Sequence, residues 1–206
     1  RLAIAEVVRS ALDDLDPAPP WVSASSAGHI EHNPALAPHL QDAVYRLTRH
    51  AGTLTEDWYL NMRDKTAITH QQWIEVIDIV ISVASVLRFA QLAGIDRPEF
   101  PTALDGEPSR QEQPSKPASH HWVPVVHLED MTPELEPFYQ GLPVIAPVIR
   151  ALSSVPAAMD TLSVLSNAQY IPNREMIDLN WSRGTLSRRQ MEFVAGRLSA
   201  HRECFY

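Results

Sequence analysis

At 206 residues the chain has room for one or two domains and a real hydrophobic core. Hydrophobic residues make up 45% and charged residues 20%, an ordinary soluble balance, and the net charge of −8 argues against a nucleic-acid surface or a polybasic membrane patch. A single cysteine excludes an internal disulfide framework and suits a reducing, cytoplasmic compartment, while 17 prolines against 7 glycines fit helices joined by stiff loops.

Residues 1–15, RLAIAEVVRSALDDL, have the period of an amphipathic helix with Leu2, Ala5, Val8 and Leu12 on one side. The helix ends at DPAPP, because proline removes a donor and disfavours helical geometry in the residue before it. GHIEHNP then puts His29 and His32 three apart around a carboxylate. No third ligand follows at a recognisable spacing, so the pair reads as solvated loop histidines rather than a metal site. Residues 40–50 form a helix with Val44 and Leu47 inward, and Thr53 with Glu56 caps the next, where Trp58 and Met62 share a face. Thr69 with Gln72 caps the longest helix, about Thr69 to Ala93, and Gly94 stops it. Trp73, Ile74, Ile77, Ile81, Ala84, Leu87 and Leu92 are joined on its other sides by Val80, Val83, Val86 and Phe89. A helix so apolar all round is buried or lies at a subunit interface. Asp78, Ser82, Ser85 and Arg88 interrupt it, which argues against a membrane span.

Residues 96–121 are rich in Pro, Ser, Glu and Gln without an apolar period and read as a linker, His120 and His121 included. WVPVV, residues 122–126, is a short extended run placed against one of the domains. Thr132-Pro133-Glu134 is a helix opening, with Thr as N-cap and Pro in the first turn. Two apolar helices separated by a proline follow, with Val148, Ile149 and Leu152 inward on the first and Met159, Leu162 and Leu165 on the second. Trp181 reads as core and Arg183 as a surface ion-pair residue.

The last stretch, LSRRQMEFVAGRLSAHRECFY, carries the chemistry. Ser187 and Gln190 form a capping box, and Met191, Val194, Ala195 and Leu198 give the helix one apolar face. Glu192 interrupts that run and Cys204, the only cysteine, follows twelve residues later. A carboxylate near a thiol can relay a proton, and the thiolate is the reactive form of cysteine. The competing reading makes Glu192 a half-exposed partner of Arg188 or Arg189 and Cys204 a small buried hydrophobe. His201 and Arg202 beside Cys204 favour the thiolate.

E-x11-C-F-Y, preceded by L-S-x-R-Q and A-x-R-x-S-A, resembles the alkylhydroperoxidase D-like (carboxymuconolactone decarboxylase) superfamily, where the run continues as C-x-x-C-x-x-x-H. The sequence ends at Tyr206, one residue before the second cysteine of that pattern, and opens at Arg1 without an initiator Met, so we expect a longer chain. Residues 141–171 resemble the family's opening helices, and residues 45–80 the second half of a repeat. Aligning Ser10-Ala11 with Ser199-Ala200 puts Ala3 at the place of Glu192. Pro19, Val22 and Ser26 then stand at the three reactive positions, beside Trp21, so the first repeat keeps the scaffold and loses the chemistry.

The resemblance implies an all-α fold, an alkylhydroperoxidase D-like helical bundle of two related units: 1–95 degenerate, 96–121 linker, 122–206 the N-terminal part of the second. It implies thiol peroxidase chemistry on hydrogen peroxide or an organic hydroperoxide. The second cysteine of the pattern attacks the O–O bond, Cys204 condenses with it to a disulfide, and Glu192 relays the proton. A thioredoxin-like or lipoyl-bearing dithiol partner resets the pair. No metal or other cofactor is called for, nor nucleic acid or membrane, and the long apolar helices imply a homo-oligomer. Two other readings stay open: a decarboxylase-like lyase working without a cysteine pair, and a catalytically silent helical oligomerisation module.

Overall fold

The longest element, α4 (His70–Ala93), is central to the computed structural model, which describes residues 1–15, 24–108, 110–139, 145–202 and 204. Its ends follow from local chemistry. The Thr69 hydroxyl accepts from Gln72 N at 3.1 Å while Thr69 N donates to Gln72 Oε1 at 2.8 Å, satisfying donors that the first turn leaves over. At the other end Gly94 takes φ +65°, a left-handed conformation that costs glycine little, and Ile95 N caps Ala90 O at 3.1 Å.

Helices α1 (Leu2–Asp13) and α2 (Pro38–His50) pack against each other and against α4. The first buries Ile4, Ala5, Val7, Val8, Ala11 and Leu12, but Leu2, expected on that face, is 41% exposed. A third helix, α3 (Glu56–Thr66), brings fully buried Tyr59 beneath Trp73 and Trp122. Its cap is Thr55, whose side chain accepts from Trp58 N, and not Thr53, whose hydroxyl donates to His50 O in the preceding turn.

After α4 the chain runs extended across the bundle. Arg97 pairs with Asp13, the Arg9 guanidinium lies 3.8 Å over the Phe100 ring, and Lys116 pairs with Val125 in an isolated antiparallel bridge. Val123, Val125 and Val126 are buried, as expected of the WVPVV run. Thr132 opens only a turn leading to the four-residue α5 (Glu136–Tyr139), and its hydroxyl has no partner among the described residues. Another four-residue helix, α6 (Pro147–Arg150), precedes α7 (Pro156–Gln169), which lies along α4, and α8 (Arg188–His201) completes the order. Among the described residues there are eight α-helices and no strand, so the protein is all-α. One apolar cluster runs from Ile4 to Met159, joining α1 to α4 with the 123–126 segment, α5 and α7.

The apolar circumference of α4 is only partly covered. Trp73, Ile74, Val76, Val80, Leu87 and Ala90 are buried, whereas Ile81, Phe89 and Leu92 face outward, Leu92 at 87% exposure. Its polar interruptions do not take α4 out of the range that could cross a membrane by length and composition alone. One of them has a role inside the fold. Burial pushes the Asp78 carboxyl up to about 6, against the lowering effect of hydrogen bonds from Ser82 and Thr161.

His50, at the end of α2, is 1% exposed, and neither ring nitrogen has a hydrogen-bond partner among the described residues. Burial holds its pKa below the usual imidazole range, helped by the charges of Arg49 and Arg46. His70 and His121 are lowered for the same first reason. In each case the unfolded chain takes up a proton near 6.5 while the folded chain resists it, so stability falls as pH drops through that value. Replacing His50 by leucine removes an unsatisfied polar ring and is expected to stabilise the fold by about 1 kcal/mol or more at pH 7. Urea midpoints checked at pH 7 and 5 should show a wider gap over the wild type at pH 5.

Candidate functional site

Helix α8 starts where its sequence says it should: the Ser187 hydroxyl accepts from Gln190 N, and Ser187 N donates to Gln190 Oε1 at 2.9 Å. The face it turns to the protein differs from expectation. Val194 and Leu198 are 64% and 59% exposed, and Phe193 is 70% exposed. The half-buried line is instead Met191, Ala195 and Ser199, continued at its N-terminal end by Arg188, the one buried residue of the helix. No residue of α8 belongs to the apolar core.

Polar groups hold α8 in place. Arg188 Nε donates to Glu192 Oε1 at 2.6 Å, and its terminal nitrogens donate to Met176 O at 2.9 Å and Asp178 O at 3.1 Å. The other carboxylate oxygen, Glu192 Oε2, accepts from the Tyr170 hydroxyl at 3.0 Å. Burial raises the Tyr170 pKa and the bond to Glu192 raises it further, so the phenol keeps its proton and remains the donor. Glu192 is thus half-exposed and paired with Arg188, as the plainer sequence reading has it, and also lies at the edge of a cavity.

That cavity is an open groove of about 870 Å³ between α6, α7 and α8. Phe138, Ile149, Met159, Leu162 and Met176 make it apolar, and Tyr170 with Glu192 forms its polar side. Cys204 lines the same groove and is exposed, with its backbone N–H bonded to Ser199 O at 3.0 Å. Thus Glu192 and Cys204, the two site residues expected from the sequence, share one cavity. Phe205 and Tyr206, which complete the C-F-Y run, lie outside the described residues.

Tyr170 and the clamping role of Arg188 were not legible in the sequence. Tyr170 is 22 residues from Glu192, follows the end of α7, and belongs to no local pattern. Arg183 is on the surface as expected, but carbonyls rather than a carboxylate receive it: it donates to Asn167 O at 2.8 Å and to Ala168 O, satisfying last-turn carbonyls of α7, where a cation also meets the negative end of the helix dipole. Its guanidinium lies 5.6 Å over Trp181, which is half-buried rather than core.

In the first half His32 is exposed, as expected of a loop histidine, whereas His29 is half-buried, and both have polar partners. His29 Nδ1 lies 3.2 Å from Asp14 Oδ2, which also accepts from the Tyr45 hydroxyl at 2.6 Å, and His32 Nδ1 lies 3.2 Å from Gln41 Oε1. Of the first-repeat positions, Ala3 lies in α1 and buried Ser26 donates its N–H to Asp42 Oδ1 at 2.8 Å. Pro19, Trp21 and Val22 lie outside the described residues.

Fold and site together define an all-α protein with an apolar groove edged by a carboxylate, a phenol and a thiol. No protein-family model, no curated protein and no solved structure matches the chain.

Proposed function

We propose that the chain serves alkylhydroperoxidase D-like thiol peroxidase chemistry, with the groove beside α8 as its peroxide site. The observation carrying this reading is that Glu192 and Cys204 line one apolar groove. An attacking thiol, which the 206 residues do not contain, cleaves the O–O bond, becomes a sulfenic acid and releases an alcohol or water. Cys204 then condenses with the sulfenic acid, forming a disulfide and releasing water. A dithiol protein of the thioredoxin-like or lipoyl-bearing kind takes over the disulfide and restores both thiols. Glu192 accepts the proton as the thiol is activated, and Tyr170 and Arg188 fix the orientation of its carboxylate.

The test is intact mass and thiol alkylation of the purified protein, before and after cumene hydroperoxide, with and without a dithiol. The expected result is loss of two alkylation sites on oxidation, their return on reduction, and peroxide turnover. Glu192→Gln is expected to slow turnover by about 10²–10⁴-fold. Cys204→Ser should leave the first oxidation intact, stall at a sulfenic acid and abolish turnover. A single alkylatable thiol indifferent to peroxide would end the reading. The exposed Phe193, Val194 and Leu198 on α8 favour a second reading, a silent helical oligomerisation module, and that outcome would select it.

A further inference from the structure

Between α5 and the start of α7 lies a group of polar side chains that neither the α8 groove nor the apolar core uses. Tyr139, the last residue of α5, is 8% exposed, and its phenol oxygen has no hydrogen-bond partner among the described residues. Arg150, the last residue of α6, has a buried Nε in the same condition. Buried donors are nearly always paired, so two orphans at one place need a physical reason.

The local chain brings them together. Ser153 N donates to Arg150 O at 3.0 Å, which sets the Arg150 and Ser153 side chains one turn apart on the same side. Ser153 is fully buried, and its Oγ accepts from Val126 N at 2.9 Å, so its own hydrogen is left to donate. Burial raises the Tyr139 pKa, against the lowering effects of the Ser153 hydroxyl and then of the Arg150 charge, so the phenol keeps its proton within reach of both. His121 also feels the Arg150 charge: burial first, then that charge, holds it below the usual imidazole range, and it is neutral at pH 7.

None of these groups supplies a negative charge. The Arg150 side chain makes no ion pair and no hydrogen bond among the described residues, and a guanidinium can only donate. A trapped water would satisfy the phenol but leave the cation uncompensated. A carboxylate answers both needs. It takes two parallel N–H bonds from a guanidinium edge and keeps lone pairs for a phenol and a serine hydroxyl. One cation matches one negative charge, so a monocarboxylate suits the site better than a phosphate dianion.

We propose that Arg150, Tyr139 and Ser153 form a receptor for a small monocarboxylate, held by the guanidinium and the two hydroxyls. Phe138 and Ile149, the residues just before Tyr139 and Arg150, line the α8 groove, whereas Tyr139 and Arg150 do not. The receptor is thus separate from the groove, and its occupancy does not depend on any thiol chemistry there.

The test is a ¹H–¹⁵N NMR titration of the full chain with acetate at constant ionic strength, and with acetamide as the neutral isostere, on wild type, Tyr139→Phe and Arg150→Gln. Tyr139→Phe removes only an oxygen that has no partner in the free protein, so that variant is expected to fold, which its own spectrum checks. Acetate should shift the Arg150 Nε–H and the amides of residues 150–153 saturably. Loss of a charge-assisted hydrogen bond is worth roughly tenfold in affinity, so acetamide on the wild type, and acetate on either variant, should bind at least that much more weakly. Equal shifts with acetate and acetamide, acetate binding indifferent to Tyr139→Phe, or no saturable shift at tens of millimolar would each overturn the assignment.

Discussion

Replacing Arg188 by leucine is expected to cost about 2–4 kcal/mol of stability and to loosen α8 before the rest of the bundle. The size follows from what the guanidinium holds. Its side chain is 8% exposed and bonds to Glu192 Oε1 and to the carbonyls of Met176 and Asp178, with Glu175 O in reach at 3.4 Å. Leucine fills part of the volume but leaves those carbonyls and half of the Glu192 carboxylate to water, in a helix that adds nothing to the apolar core. A planar fork is needed to address carbonyls and a carboxylate together, so Arg188→Lys should recover only part of the loss. Urea unfolding gives the total, and hydrogen exchange at the amides of residues 173–181 and 190–201 locates it. An Arg188→Leu midpoint within 0.5 kcal/mol of the wild type would mean that the groove, not the clamp, seats α8. Because Arg188 also orients Glu192, the peroxide turnover proposed above should fall with it, whereas Arg189→Leu on the exposed side should leave both stability and that turnover unchanged.

What could be read in the sequence was whatever local chemistry decides. The capping boxes at Thr69–Gln72 and Ser187–Gln190 need only four residues each, and both form as written, as does the stop at Gly94. Thr132 shows the limit of such signals: the same residue types open only a four-residue helix, because the turns that follow are built from what they pack on. Burial was legible where one face faces one core, as for Ala5, Val8 and Leu12 of α1. It failed on α8, where Val194 and Leu198 share a helical stripe but the described protein offers that stripe no apolar partner. That Glu192 and Cys204 line one groove depends on α8, which holds the first and ends three residues before the second. Tyr170 was not legible there, because it is brought to Glu192 by the turn between α7 and α8, and turns of that length have no sequence signature for where they end. Asp14 and His29 fail for a related reason: a charge and an imidazole fifteen residues apart meet only after α1 and α2 have packed.

The sharpest energetic contrast lies along α4. Ile74→Ala should destabilise the protein by about 3–4 kcal/mol, while Leu92→Ala, which removes the same number of carbons on the same helix, should cost under about 0.5 kcal/mol. Ile74 is 0% exposed and belongs to the same apolar cluster as the equally buried Val8, Val44 and Tyr59, so truncation leaves a void that close-packed neighbours fill poorly. Leu92 is 87% exposed near the end of the helix, beside Phe89 and Ile95, both more than half exposed, and truncation there removes area that is already in water. Urea titrations of both variants at several protein concentrations check the contrast. If Leu92→Ala costs more than about 1 kcal/mol, and the cost grows with protein concentration, then Phe89, Leu92 and Ile95 are covered by a second copy, the proposed oligomer. If Ile74→Ala costs less than about 1 kcal/mol, the α1–α2–α4 packing is not what holds the first half together, and the placing of α7 and the groove against α4 loses its support.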